Sequence, residues 1–591
     1  MFLAQCLASF VFALAVAPAV AQPAATVYVN ANIYTMDPNR PRAAAMAVVG
    51  DHIIAVGLDA DIRAMADPGV TVIDLKGRTV LPGLIDAHGH MANLGALRMG
   101  MLDLTLTKSY DEVVAAVVAR VKAAKPGEWI LGRGWDHESW PSRELPTHHD
   151  LSRAAPDNPV WLRRVDGHAA VGNRKAMEAA GVTKDTPDPA GGEVMRDGAG
   201  EPTGVFVDVA EDLIDNAVPA SARGNTQDMI LKAQELCLAA GLTGVHDAGI
   251  HPAVVELYER LAESGRLKLR VYAMVSGPHA MKWFEAHEPI IGERFTCRAA
   301  KLYIDGAMGS RGAWLLEPYA DRPTGPDGLP YRGLAVAETA FIDAVVKHAL
   351  KRGYQVCTHA IGDRGSRTVL NAYERANRAR LPDLSFLEAH REIEARRAQG
   401  QFVDEEGRRR ILNGLPRFRI EHAQLLSPRD ITRFAPLNVI ASMQPTHCTS
   451  DMRWVEARVG GVRAKGAYAW ASLLRAGVRI AAGSDFPVES HNPFLGFYAA
   501  VTRQNTDGEP VGGWMPQERI TRDEALRAFT LDAAYAAFEE DRKGSLAPGK
   551  YADFVVIDRD VMTCDEKDIP GTRVLMTVIG GETVFTGDAG G

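Results

Sequence analysis

The middle of the chain repeats one unit, in which an amphipathic helix ends at a glycine and an apolar strand follows at once. Gly241 precedes LTGVHDAG, Gly353 precedes YQVCTHAIGD and Gly477 precedes VRIAAGSDFP. A glycine just past a helix takes the left-handed cap conformation, and a parallel strand covered on both faces is apolar throughout. The repeat therefore predicts a parallel sheet closed into a (β/α)8 TIM-like barrel, whose catalytic face lies where the strands end.

The two ends of the chain have a different sequence pattern from the middle. Short β-rich runs such as HIIAVG and VTVIDL fill residues 25–82, and runs such as ADFVVIDRD return in residues 541–591. This pattern is typical of small antiparallel sheets, so we expect both ends to build one composite β-sandwich domain. The barrel of this α/β protein then occupies residues 83–540, with a lid region inserted at about 93–225. A second insertion, at about 377–416, is rich in Arg and Glu, which is typical of a solvated surface helix, and receives no role.

The first 21 residues are almost wholly apolar and end in Ala19-Val20-Ala21. Such a run before an A-x-A pattern predicts a secretory signal peptide over residues 1–21, and hence an exported protein, periplasmic or secreted. No Lys or Arg precedes the run, which leaves a misassigned start or a membrane anchor as alternatives. No later segment is long and apolar enough to span a bilayer, so we expect no membrane partner after signal removal.

Charge and cysteine content exclude two classes of protein. The 591-residue chain has a formal net charge of -8, whereas a nucleic-acid-binding protein needs a basic surface. After Cys6, five cysteines remain without tight spacing, which indicates neither a disulfide framework nor a cysteine-based metal site. We therefore expect a small-molecule substrate and no nucleic-acid partner, and homo-oligomerisation stays open.

A His-x-His pair ends the apolar run TVLPGLIDAHGH. Residues two apart in a strand point to the same side, so His88 and His90 can both project into the barrel mouth and bind one divalent metal ion through imidazole nitrogen. The alternative is two unrelated core or surface histidines. The position directly after a buried strand favours the metal site.

Four more polar residues stand at or near the ends of later apolar strands: Lys301, His359, His422 and Asp485. A Lys within a buried strand is costly unless it is paired or chemically altered. CO2 could carbamylate Lys301 to an anion that bridges two metals, or a salt bridge to Asp305 could satisfy it. A lone strand-end His is more often a core residue, but successive ones favour ligands, and Asp485 can hold a metal or accept a proton from activated water.

These segments, taken together, resemble a known family. VLPGLIDAHGH, THAIGD, IEHAQ, GSDFPV and GSLAPGKYADFVVID are similar to motifs of the amidohydrolase superfamily. GRGWD, VDGHAAVGN, KLYIDGAMGSR and SDFPVESHNPF resemble amidohydrolase family 3 and its YtcJ-like branch, which includes N-substituted formamide deformylase. The resemblance spans nearly all of the mature chain and implies a barrel with a β-sandwich.

The resemblance also implies roles for individual residues. His88 and His90 match the ligands of the first strand, and Lys301 matches a fourth-strand Lys that is carboxylated in many binuclear relatives. The ligands of the fifth and sixth strands are His359 and His422, and Asp485 matches the eighth-strand residue that takes a proton from the attacking water. One or two zinc ions are implied, with manganese or iron as alternatives.

The expected reaction is metal-dependent hydrolysis of a C–N amide-type bond in a small molecule. Lactone, carbamate or aryl-ester hydrolysis by the same site stays open, as does a non-catalytic relative, which the filled ligand positions disfavour. Because the lid region is rich in Trp, we expect a small hydrophobic or aryl-substituted amide as substrate.

The lid region also supplies candidate substrate contacts. Trp135, Arg164 and His168 lie in it, and His246 stands at another strand end. The alternative is that Trp135, like Trp140 and Trp161, belongs to the hydrophobic core of the lid itself. His447 and Asp451 are further candidates, whereas Asp305 and Arg311 are expected to be structural.

Overall fold

The computed structural model describes residues 25–66, 69–325, 327–380 and 416–587. The predicted signal peptide lies outside these residues, as does most of the predicted insertion at 377–416. The strands are β1 (Ala25–Val29), β2 (Asn32–Tyr34), β3 (Arg42–Ala43), β4 (Ala45–Val49), β5 (His52–Gly57), β6 (Thr71–Asp74), β7 (Thr79–Pro82), β8 (Leu84–Gly89), β9 (Leu102–Asp103), β10 (Ile130–Trp135), β11 (Val160–Arg164), β12 (Ala169–Gly172), β13 (Gly192–Arg196), β14 (Pro202–Asp208), β15 (Leu242–Ile250), β16 (Arg270–Ser276), β17 (Ile290–Ile291), β18 (Phe295–Tyr303), β19 (Gln355–Ala360), β20 (Arg419–His422), β21 (Ile440–Met443), β22 (Ile480–Ala482), β23 (Phe554–Ile557), β24 (Val574–Ile579) and β25 (Glu582–Thr586).

Helices alternate with the central strands and cover the sheet. Among the described residues, no helix is both long and apolar enough to cross a membrane. The helices are α1 (Asp59–Arg63), α2 (Met91–Arg98), α3 (Tyr110–Val121), α4 (His148–Ala154), α5 (Arg174–Ala180), α6 (Asp212–Asp215), α7 (Thr226–Ala239), α8 (Pro252–Glu263), α9 (Gly277–Ala286), α10 (Thr339–Arg352), α11 (Asp363–Arg380), α12 (Pro428–Phe434), α13 (Pro445–Asp451), α14 (Val455–Ala464), α15 (Trp470–Arg475), α16 (Pro493–Thr502), α17 (Arg522–Ala528) and α18 (Leu531–Ala536).

The central sheet is a barrel of parallel strands. Its order is β8-β15-β16-β18-β19-β20-β21-β22, and β17 adds to β18 in the antiparallel sense. The chain just after β22 returns to β8, where Gly89 bridges Phe486 and the Asp485 backbone N–H donates to the His88 carbonyl at 2.7 Å. The α/β barrel class predicted from the sequence is confirmed.

The glycines that punctuate the repeat have the predicted conformation. Gly241, Gly353 and Gly477 have φ angles of 84°, 74° and 77°, in the left-handed region that a side chain disfavours. Gly353 is the C-cap of α10, and the strand that follows it, β19, is buried along its whole length. Each helix therefore ends just before the strand that continues into the barrel wall.

Both termini contribute to a β-sandwich beside the barrel. One sheet has the order β5-β4-β1-β6, and the other has the order β25-β24-β23-β7-β2-β3, which joins strands from the two ends of the chain. Tyr28, Met46, Phe554 and Val556 pack in a core that the two sheets share. Arg270 of β16 and the buried Asp553 form a two-point ion pair at 2.7 and 2.9 Å, which ties the sandwich to the barrel.

The region between β8 and α7 forms a small domain, which we call the lid. Its sheet has the order β13-β14-β12-β11-β10-β9, and α3 to α6 pack against it. The lid has hydrophobic cores of its own, built around Trp135 and Trp140 on one side and Trp161 on the other. These cores explain why the sequence of this region is so rich in Trp.

Candidate metal centre

Three histidines at the mouth of the barrel share one pattern of hydrogen bonds. The buried His88 at the end of β8 donates from Nδ1 to Glu421 Oε2 at 2.5 Å. His90 donates from Nδ1 to the carbonyl of Ala248 at 3.0 Å, and His422 donates from Nδ1 to Gln444 Oε1 at 2.8 Å. Each of these hydrogen bonds puts the proton on Nδ1 and the lone pair on Nε2, as in metal sites whose other imidazole nitrogen is held by an oxygen.

Asp485 brings a carboxylate to the same place. Its Oδ1 lies 3.0 Å from His90 Nε2 and 3.8 Å from His88 Nε2. Its Oδ2 lies 4.0 Å from Nδ1 of His422, the nitrogen that also donates to Gln444. Candidate ligand atoms of His88, His422 and Asp485 all lie within 4.8 Å of one another. Two imidazoles with a carboxylate form a donor set suited to zinc and to other divalent first-row metals.

The charge states of these groups fit a cation. Burial lowers the pKa of His88 to about 4, and it lowers the pKa values of His359 and His422 well below their ordinary range, so the imidazoles are neutral. Burial raises the pKa of Asp485, but the nearby His88 and His90 outweigh it and hold that pKa well below its usual value. Neutral imidazole and ionised carboxylate are the forms that ligate metal.

Lys301 lies in the same cluster at the end of β18. Its side chain is buried, and Nζ is 3.1 Å from His88 Nε2 and 4.6 Å from the centre of the Tyr303 ring. Among the described residues Lys301 forms no ion pair. The alternative of a salt bridge to Asp305 is therefore not seen, because Asp305 instead accepts backbone N–H bonds from Trp314, Ile361 and Gly362.

His359 extends the cluster towards the lid. Its ring centre is 4.5 Å from that of His422 and 4.9 Å from that of His168. His168 belongs to the lid and donates from Nδ1 to Asp208 at 2.6 Å. Burial lowers the pKa of His168, but Asp208 outweighs burial and raises it to about 9.

A cavity of about 430 Å3 opens between the barrel mouth and the lid. Of the residues singled out in the sequence, its wall contains Arg164, His168, His359, His422, His447, Asp451 and Asp485. Arg164 is already paired with Asp136 and Asp166, so its charge is neutralised within the lid. The rest of the wall is mixed, with charged residues such as Arg453 and Glu489 beside apolar ones such as Leu94 and Met308.

Two predicted substrate contacts do not line this cavity. Trp135 is fully buried in the lid core, where its Nε1–H donates to the Leu162 carbonyl at 2.8 Å. His246 is buried inside the barrel, and its Nδ1 accepts from Arg419 Nη1 at 2.9 Å. The lid tryptophans therefore give no support to a hydrophobic substrate, because their rings pack against the lid rather than the cavity.

Sequence reasoning missed the buried pair that orients His88. Arg419 and Glu421 are both fully buried in β20, and Arg419 Nε and Nη2 donate to the two carboxylate oxygens at 2.7 and 3.0 Å. The run RIEH contains the signal, because residues two apart in a strand face the same side. Two opposite charges at that spacing in a barrel strand indicate an internal ion pair.

The backbone is strained at two of the candidate ligands. His422 has φ of 73° and Asp485 has φ of 59°, in the left-handed region that non-glycine residues seldom adopt. Asp86 supports this geometry, because it accepts from the backbone N–H of His88 and Ser484 and from the Ser484 hydroxyl. Strain of this kind persists only where surrounding contacts fix it, and it concentrates at functional sites.

Comparison with known proteins agrees with this geometry. The amidohydrolase family model matches residues 71–585. The chain belongs to this family. The amidohydrolase is 33% identical to Protein LONG AFTER FAR-RED 3 of Arabidopsis thaliana, over 94% of this chain and 91% of that protein.

Two bacterial relatives match over similar lengths. The putative amidohydrolase YtcJ of Bacillus subtilis is 31% identical, over 94% of this chain and 98% of that protein. The N-substituted formamide deformylase of Arthrobacter pascens is 28% identical, over 94% and 97%. Among solved structures, an uncharacterized metal-dependent hydrolase from Pyrococcus furiosus matches with a TM-score of 0.67 and 28% identity, over 91% of this chain and all of that one. These relatives support a metal-dependent hydrolase.

Proposed function

We propose that this amidohydrolase hydrolyses a C–N amide-type bond in a small molecule with the help of a divalent metal ion. The observation that carries the proposal is the convergence of His88, His422 and Asp485 at the barrel mouth. The N-substituted formamide deformylase among its relatives supports an amide as the bond that is cleaved.

The metal would be held by His88, His90, His422 and Asp485, with His359 and Lys301 placed for a second ion. A divalent cation in such a site polarises the substrate carbonyl and makes water acidic enough to attack at neutral pH. Asp485 would accept the proton released by the attacking water and deliver it to the leaving nitrogen. Its Oδ1 lies 3.0 Å from His90 Nε2, so the two groups are close enough to share one metal ion.

The number of metal ions in the proposed site depends on the chemical state of Lys301. A buried ammonium without a carboxylate partner is unfavourable, and His88 Nε2 offers it only a neutral acceptor. Reaction of the neutral amine with CO2 would form an N–C bond, release one proton and leave a carbamate anion. That anion would serve as a ligand to both ions, so we propose that carboxylated Lys301 accompanies a binuclear centre.

The cavity restricts the substrate to a small molecule. Its volume of about 430 Å3 falls at the lower end of ordinary small-molecule sites. The wall combines charged and apolar residues, which favours a small N-substituted amide that carries both polar and apolar groups. An ester or lactone carbonyl could be polarised in the same way, so paired amide and ester substrates with one acyl group should be compared. Because an ester is intrinsically easier to hydrolyse than its amide, hydrolysis of the ester with none of the amide would reject the amide proposal.

The metal requirement can be tested on the full-length protein after purification. We expect elemental analysis to find zinc, manganese or iron, chelation to abolish hydrolysis, and the same ion to restore it. His422→Ala should lose metal and activity, whereas His149→Ala, an exposed histidine on the lid, should lose neither. A well-folded protein that contains no metal and is unaffected by chelator would overturn the proposal.

A further inference from the structure

One carboxylate of the lid reaches into a loop of the barrel. The side chain of Asp208, at the end of β14, is 2% exposed, and its Oδ1 accepts from His168 Nδ1 at 2.6 Å. A Cβ on Gly306 would lie 2.2 Å from Asp208 Oδ2, and a Cβ on Gly312 would lie at the same distance from it. Both glycines belong to the loop that follows β18, the strand of Lys301, so the absence of their side chains makes room for this carboxylate.

Asp208 is held in an unfavourable backbone conformation at this contact. Its φ angle is 50°, in the left-handed region, and its own N–H donates to the His168 carbonyl at 3.1 Å. Its Oδ2 is buried and has no hydrogen-bond partner among the described residues. A strained, buried and half-satisfied carboxylate costs free energy, which indicates a role beyond local stability.

The residue that Asp208 holds faces the candidate metal centre. His168 lines the cavity together with His359, His422 and Asp485, and its ring centre is 4.9 Å from that of His359. The Nδ1 contact with Asp208 fixes the ring, so Nε2 is left for the cavity. Among the described residues, Nε2 of His168 forms no hydrogen bond.

We propose that Asp208 is a positioning residue that reaches across the boundary between lid and barrel, seats in the space left by Gly306 and Gly312, and holds His168 so that its Nε2 contacts the bound substrate. The inference rests on the proposed function, because it assumes that the cavity binds the substrate whose bond is cleaved. It assigns a purpose to the glycines of the run IDGAMGSRG, which the metal centre alone does not explain.

A double-mutant cycle tests whether Asp208 acts through His168. If it does, Asp208→Ala and His168→Ala should each lower kcat/KM by about 10²-fold, since misplacing a substrate contact by 1 Å can cost that much. The double variant should then be no worse than His168→Ala alone, because linked residues are not additive. Asp208→Asn keeps an oxygen for His168 Nδ1 and should recover most of the activity.

Glu193→Ala is the matched control. Glu193 also joins the lid to the barrel, by accepting from Arg322 at 3.0 and 3.3 Å, but it does not line the cavity. This variant should leave kcat/KM unchanged, both alone and on top of His168→Ala. If it lowers kcat/KM as much as Asp208→Ala does, or if the Asp208 and His168 losses multiply, Asp208 serves only to dock the lid and the inference is wrong.

The glycines give a second, opposite test. Gly306→Ala should reproduce the loss seen in Asp208→Ala, because its Cβ would displace the carboxylate. Added to Asp208→Ala, the same substitution should cost little, since the group that the Cβ meets is gone. An equal loss in both backgrounds would contradict the role given to the glycine.

A measurement without substrate separates this inference from the proposed function. Diethyl pyrocarbonate modifies accessible imidazoles, and mass spectrometry locates the modified residue. We expect modification of His168 to be several-fold faster in Asp208→Ala than in the wild type, with Glu193→Ala unchanged. An unchanged rate of His168 modification in Asp208→Ala would overturn the positioning role, even if amide hydrolysis is confirmed. Faster modification in Asp208→Ala, together with no hydrolysis of any amide by the wild type, would contradict only the proposed function.

Discussion

Replacing Glu421 with Gln is the sharpest single perturbation of the candidate metal centre. The carboxylate is fully buried and accepts from three donors, two on Arg419 and one on His88. A Gln side chain has the same shape but only one acceptor oxygen and no charge. With its oxygen in place of Oε2 it can still accept from His88 Nδ1 and Arg419 Nη2, but its NH2 group then faces Arg419 Nε, and the buried guanidinium loses its counter-charge.

The expected loss of stability in Glu421→Gln follows from the partners that Arg419 keeps. Arg419 is 0% exposed, and its remaining partners, the Ala87 carbonyl, the Ser442 hydroxyl and His246, are all neutral. Removing one partner of a buried ion pair costs about 3–5 kcal/mol, because the other charge stays buried and uncompensated. A change in the group that orients a candidate metal-ligating imidazole, here His88, is expected to lower metal affinity about 10–100-fold.

Both effects can be measured on one variant. We expect a lower denaturant midpoint with an unchanged denaturant slope, and a weaker metal affinity in competition with a chelator. Glu518→Gln is the control, since Glu518 is 4% exposed and accepts from Ser472, far from the cavity. A Glu421→Gln protein that loses less than about 1 kcal/mol and binds metal as tightly as Glu518→Gln does would refute the reasoning.

Three further substitutions test separate parts of the structure. Lys301→Gln should lower the number of ions bound per chain, by elemental analysis, and an unchanged number would exclude a bridging role. Trp135→Ala should open a cavity in the lid core and cost about 3–5 kcal/mol of stability in urea denaturation, with KM changed by less than about twofold. A large change in KM with little loss of stability would contradict the placement of Trp135 in the lid core. Asp553→Asn should reduce the loss of stability in acid. Burial raises the pKa of Asp553, but Arg270 outweighs burial and lowers it, so the stability that Asp553 contributes is present above its unfolded pKa and is lost as pH falls through its folded pKa. Denaturation midpoints that fall equally with pH in the variant and the wild type would exclude this contribution.

The sequence allowed the barrel to be predicted because its signals are local. Each helix ends at a glycine, and the strand that follows is continuously apolar, so Lys301, His359 and His422 could be placed at or near strand ends without knowing any contact. The orientation of Trp135 could not be predicted in the same way. An aromatic side chain in an apolar strand is expected to be buried, but the pattern along that strand does not say whether the lid core or the cavity wall covers it.

The contact between Asp208 and Gly306 illustrates a second limit. The two residues lie in different domains and far apart in the sequence, and neither belongs to a periodic pattern. Only the folded chain brings the carboxylate within 2.2 Å of the Cβ position on the glycine. Local reasoning could find the glycine run but not the group that needs the space.

The strained backbone at the candidate metal centre is held by a network of protein contacts. Left-handed φ angles at His422 and Asp485 cost on the order of 1–3 kcal/mol each, and neighbouring side chains fix the segments that carry them. Asp86 holds the backbone around Ser484 and His88, while Gln444 and Glu421 hold the imidazoles. Contacts that fix the candidate ligands reduce the free energy that a bound metal ion would spend on ordering them. Metal specificity in this amidohydrolase should therefore depend on the fixed donor set at the strand ends, and the choice of substrate on the lid wall that faces it.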